Sequence, residues 1–184
     1  MISKSFRSRE RVLAVFLGTT LAVANNSAAV ANDKCKRELD NSGRTAKYTE
    51  QHVMDVGDVP GHQIRILELH ATFASDTPNC EGRKRKESWS RGYSDYIDRN
   101  GRAWGYDVTT FDNGDKIFSQ WSGTSHTTVM ADGKKKSTYV GTARYTGGTG
   151  IYTGVRGMSW SNISFDPVAN VNTSEAREEY WIEK

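Results

Sequence analysis

A chain of 184 residues with two cysteines, 17 glycines and three prolines is long enough to bury the core of one domain. Its formal charge of +3 comes from 25 basic and 22 acidic residues, and Lys4, Arg7, Arg9 and Arg11 stand within the first eleven positions. Without residues 1–31 the balance is 21 basic against 21 acidic, so no basic field remains to favour nucleic acid, and polyanion binding loses its electrostatic case.

The first segment has the order of a secretory signal peptide: basic residues, an apolar run from Val12 to Ala24, then small residues ending in Ala29-Val30-Ala31. The run has 13 residues, short of the roughly 20 that span a bilayer as a helix, and nothing later is as apolar. Cleavage is expected after Ala31, with Ala22-Val23-Ala24 as an alternative, and Glu10 between Arg9 and Arg11 removes a twin-arginine signal. The mature protein is therefore expected to be soluble and periplasmic or secreted, without a membrane span. An oxidising compartment favours joining Cys35 to Cys80, which would tether an N-terminal segment, residues 32–56, to a domain over residues 57–184.

From residue 57 onward the pattern is all-β. Extended runs rich in β-branched and aromatic residues cover 63–73, 88–97, 102–111, 116–130, 137–145, 151–155, 158–165 and 175–182. Asn100-Gly101, Asn113-Gly114 and Asp132-Gly133 punctuate them, and each supplies the positive φ that tight hairpins need. Successive hairpins make a meander, and about eight such strands can close into an antiparallel up-and-down β-barrel. Alternation puts Trp104, Tyr106 and Val108 on an apolar face opposite Asp107 and Thr109, and sets Tyr139, Gly141, Ala143 and Tyr145 opposite Thr142, Arg144 and Thr146. Between 63 and 73 the parity switches from Ile64 and Ile66 to Leu67, Leu69, Ala71 and Phe73, which predicts a bulge or a strand covered on both faces.

The stretch Gly141-Thr-Ala-Arg-Tyr-Thr-Gly-Gly-Thr-Gly-Ile-Tyr-Thr-Gly-Val-Arg-Gly157 resembles the glycine-rich hairpin of allene oxide cyclase-like and dirigent-like barrels, and residues 57–165 sit comfortably in the same scheme. The resemblance implies an eight-stranded, lipocalin-like barrel with an apolar cavity, often assembled as a trimer. It does not transfer a reaction, because none of the polar positions used by the cyclases or the dirigent proteins is matched here residue by residue.

Gly148-Thr149-Gly150 lacks the spacing and the following helix of a dinucleotide fingerprint, and no other cofactor motif is present. His52, His62, His70 and His126 have no zinc-ligand spacing, so no metal is expected. Glu68 and His70, two apart on one strand, share a face and are the candidate catalytic pair; an exposed polar pair is the plainer reading. Trp104, Tyr106, Trp121, Tyr145 and Trp160 are the candidate ligand-binding aromatics, against the alternative that they fill the core or cover the outside of the barrel, and the pattern does not determine which of them point inward. The basic runs Arg83–Lys86 and Lys134–Lys136 read as solvated loops. Three functions follow: binding of a small apolar or aromatic molecule in or at the mouth of the barrel, a cyclase, isomerase or dirigent-type activity in its cavity, or a filled barrel acting through its surface.

Overall fold

The computed structural model describes residues 34–166 and 171–183, with backbone alone at 165, 166 and 171–173; the expected signal peptide, residues 1–31, lies outside the described residues. The strands are β1 (Cys35–Glu38), β2 (Arg44–Asp55), β3 (His62–Phe73), β4 (Arg85–Ile97), β5 (Asn100–Phe111), β6 (Lys116–Val129), β7 (Lys135–Gly148), β8 (Val155–Asp166) and β9 (Val171–Ile182). They form one antiparallel sheet in the order β1-β9-β8-β7-β6-β5-β4-β3-β2.

The sheet is curled but not closed, which corrects the expected barrel. Strands β1 and β2 occupy opposite edges yet are joined by residues 39–43 alone, so the edges must come together at that link. Leu39 N–H donates to Ala176 O at 2.7 Å, while Ala74 N–H donates to Gly43 O at 3.0 Å, and between these bonds the chain crosses from β9 to β3. β1 and β2 are thus two halves of one bent strand, and no ladder among the described residues joins β2 to β9. Strand β2 carries Lys47, Glu50 and a bulge between Tyr48 and Glu50, features that keep a free edge from pairing.

Two strands escaped the sequence pattern because neither shows apolar alternation. Nearly every residue of β2 is exposed, and the strand exists through its backbone pairing to β3. The stretch 32–56 therefore supplies part of the sheet, and the expected disulfide is present, with Cys35 and Cys80 Sγ atoms 2.01 Å apart. Residues 151–155, expected as a strand, instead fall largely in a 3₁₀ turn, Gly150–Tyr152, and the bend before β8. Asn113-Gly114 and Asp132-Gly133 lie in turns as expected, whereas the β4–β5 turn is Asp98-Arg99, both with positive φ (50° and 67°). Asn100 already pairs with Ile97 across that hairpin, and its side-chain amide donates to the Asp98 carbonyl at 3.0 Å.

The packed core sits at one end of the sheet. Cys35, Phe111, Ile117, Tyr145, Tyr152, Val155 and Tyr180 form it, and Tyr152, Val155 and Tyr180 are almost completely buried. The β3–β4 connection, residues 74–84, folds over this end and is pinned there. The disulfide ties it to β1, Asn79 donates to the Tyr152 hydroxyl at 2.7 Å, and the Tyr180 hydroxyl donates to Glu81. Arg85 Nη2 and Nε grip Asp76 at 2.8 and 3.0 Å, and Nη2 also reaches the Asp40 carbonyl at 2.7 Å. Arg85 was expected in a solvated basic run; its side chain is 10% exposed and that of Asp76 1%, because this pair holds the connection to the bent strand.

Candidate functional site

The concave face is built from cross-strand partners, which share a face of the sheet. Moving from the β4–β5 turn toward the core, successive rungs hold Tyr96, Gly101, Ser125 and Tyr139, then Ser94, Ala103, Gly123 and Gly141, then Gly92, Gly105, Trp121 and Ala143, then Ser90, Asp107, Ser119 and Tyr145. Small residues form a floor on which large rings lie. A Cβ on Gly92 or Gly105 would stand 2.5 or 2.7 Å from Trp121 Cζ2, and one on Gly123 2.5 Å from the Tyr139 ring. The two rings meet edge to face with centroids 6.5 Å apart.

Asp107 opens onto this aromatic interior. Burial pushes its carboxyl up to about 6, against the opposing pull of a hydrogen bond with Ser90, the Arg44 charge and the Trp121 indole. Arg44 is itself desolvated, which lowers its pKa despite the facing carboxylate. Burial raises the Tyr139 hydroxyl, and Tyr96 and Asp107 add to that shift. Among the described residues, the buried side-chain atoms without a hydrogen-bond partner are Asp107 Oδ1, Trp121 Nε1 and Arg65 Nε. At the turn end, Gln63, Arg65, Ser94, Tyr96, Asp98 and Arg99 line an opening of about 230 Å³.

This arrangement reverses the expected facing of β5. Ala103 and Gly105 are buried while Trp104 and Tyr106 are 40% and 59% exposed, so Asp107 belongs to the inner face and the two aromatics to the outer one. The parity switch in β3 has the same origin: the strand contains no bulge, and Ile64 and Ile66 stand exposed on the convex side.

The candidate residues consequently divide between faces. Trp121 lines the concave face, and Tyr145 lies deeper, its hydroxyl donating to Glu178, which also accepts from Arg37 at 2.6 Å. Trp104, Tyr106 and Trp160 fall in convex rows, with the Arg177 guanidinium 5.3 Å from the Trp160 ring centre. Glu68 and His70 are also convex and serve different partners. Glu68 pairs with Arg91 at 2.7 Å and accepts from Thr49 at 2.8 Å, whereas His70 bonds Glu87 at 2.8 Å and stacks on Trp89.

No protein-family model, curated protein or solved structure matches this chain. Its chemistry therefore has to be read from the residues themselves. Asp107, Tyr139, Tyr96, Arg44 and Arg65 were missed as a group because they lie on five strands. One signal was available: Ser90, Gly92 and Ser94, with Ala103 and Gly105, alternate on one parity, the mark of a face where something large packs close to the backbone. Asp107 is in phase with that series.

Proposed function

We propose that the protein is exported and that its concave face binds a small, largely apolar or aromatic molecule, entering at the Arg65–Tyr96 opening and resting against Trp121 and Tyr139. The observation that carries this reading is the set of three unpartnered buried polar atoms, Asp107 Oδ1, Trp121 Nε1 and Arg65 Nε, on one aromatic-lined face. Buried polar atoms are normally satisfied; the indole N–H lies near enough to the Asp107 carboxylate to lower its pKa without making a hydrogen bond of ordinary geometry, and a ligand polar group bridging the two would complete them. Export is supported by the Cys35–Cys80 disulfide and by the order of residues 1–31; no helix among the described residues is long and apolar enough to cross a membrane.

A catalytic version of this reading rests on Asp107 in place of Glu68 and His70. A carboxyl raised to about 6 beside aromatic walls is suited to take and return a proton near neutral pH, as an isomerase or cyclase requires.

Native mass spectrometry of protein purified from its host's exported fraction tests the binding reading, together with titration of 1-anilinonaphthalene-8-sulfonate. A retained small-molecule mass, or dye binding that Asp107→Asn weakens, is the expected result. Bare chain combined with dye binding indifferent to Asp107→Asn and Trp121→Ala would overturn it.

A further inference from the structure

The convex face carries a second constellation that the concave site does not use. Two neighbouring rows cross strands β2 to β5: Glu50, Glu68, Arg91 and Tyr106 in one, and His52, Ile66, Tyr93 and Trp104 in the other. Between them lies a groove of about 290 Å³. Four strands at the usual spacing make it about 14 Å long, and it is open to solvent along its course. Ile66, Tyr93 and Tyr106 are 54%, 46% and 59% exposed, a cluster that core packing does not explain.

The polar groups of the groove come as balanced pairs. His52 Nε2 lies 2.7 Å from Glu50 Oε1, and Arg91 Nη2 lies 2.7 Å from Glu68 Oε2. Each pair offers donors on one side and acceptors on the other, and the charge of Arg91 cancels that of Glu68. An anion would meet two carboxylates, and a cation would meet the guanidinium beside Glu68 and gain only at Glu50. An apolar partner would strip water from both pairs without replacing its hydrogen bonds, at substantial cost. A ligand dense in hydroxyls suits all of these groups, since every hydroxyl both donates to carboxylate and accepts from Arg91 or His52, while its C–H faces rest on the tyrosine rings.

We infer that the convex groove between Glu50, His52, Ile66, Glu68, Arg91 and Tyr106 binds a neutral oligosaccharide chain. The open groove accepts a polymer from the side, without needing a chain end. Binding there is independent of the concave site, since Asp107 and Trp121 lie on the opposite face.

Affinity electrophoresis of the protein in native gels containing hydroxyethyl cellulose, dextran or galactomannan tests this, with carboxymethyl cellulose as the charged control. Retardation in at least one neutral gel is expected, weakened about tenfold by Tyr106→Ala, the scale of one lost aromatic contact. Arg91→Gln should weaken it as well, and Asp107→Asn should leave it unchanged. Tyr106 is well exposed, so circular dichroism should report a folded Tyr106→Ala variant. Unaltered mobility in every neutral gel, retardation by carboxymethyl cellulose alone, or retardation indifferent to both Tyr106→Ala and Arg91→Gln would overturn the inference.

Discussion

The two ends of the curled sheet are built on opposite terms. At the core end, seven buried residues, a disulfide, the Arg85–Asp76 pair and the Arg37–Glu178–Tyr145 chain of bonds lock the β3–β4 connection over the strands. At the other end, the β2–β3 and β6–β7 turns are exposed, and the β4–β5 turn bends through two non-glycine residues at positive φ. Cross-links there include His62, bonded to Asp58 at 2.6 Å and Asp95 at 2.9 Å, and the Asp98 N–H, which donates to Gly61 O at 3.1 Å. The contrast teaches that the fold concentrates its buried locks where the chain must bend across the seam, and holds the other end by hydrogen bonds between exposed turns.

The contrast breaks most sharply at Arg85. Arg85→Met leaves the Asp76 carboxylate buried without its partner and should cost about 3–5 kcal/mol in urea unfolding at pH 7; a loss under about 1 kcal/mol would mean that the pair does not anchor this end. Next comes the disulfide, which spans 45 residues. Cys80→Ser should lower stability by about 3–4 kcal/mol on the chain-entropy account, and wild-type protein melted with a reductant should show the same shift.

Asp107 works in the other direction. Its carboxyl rises from an ordinary 3.8 to about 6 in the folded protein, so between those values the folded state holds a proton that the unfolded chain has released. Stability should therefore fall as pH rises from about 4 to about 6, and stay lower above that. Asp107→Asn removes the penalty and should gain up to about 3 kcal/mol at pH 7, reduced by whatever Arg44 loses with its counter-charge, and nothing below pH 4. Melting curves across that range check it. A variant that melts lower at pH 7 would show that the carboxylate stabilises the fold rather than serving the site.

The smallest effect belongs to the turn end. Hydrogen bonds with Asp95 and then Asp58 raise the pKa of His62 above its ordinary 6.5. Its contribution is full below 6.5 and fades as pH rises through the raised value. His62→Gln should accordingly speed amide exchange in residues 56–61 at pH 6 and change little at pH 9, without moving the core end. Equal acceleration at both pH values would show that the imidazole acts by packing and not by charge.

How much was legible can be judged strand by strand. In β6 and β7 the runs and the Asp132-Gly133 turn were read within a few residues, because alternation and turn chemistry are local properties of the chain. In β5 the strand was found, but taking Trp104 and Tyr106 as ligand-binding candidates on its apolar face ignored that Gly105 leaves room for a ring arriving from β6. That reading hid Asp107 and with it the concave site.

The sequence by itself determined the all-β class, seven of the nine strands, two of the three glycine turns and the identity of the disulfide. Each of these follows from local backbone preference or from the pairing of the two cysteines present. Tertiary structure decided the rest. Strand β2, polar throughout, becomes a strand because β3 offers it a ladder; the seam stays open because the chain leaves β9 after Leu39; and the face that is inner is set by which side Trp121 and Tyr139 cover. Those outcomes depend on contacts between residues far apart in the chain, and a period-two pattern is the same whichever face turns inward.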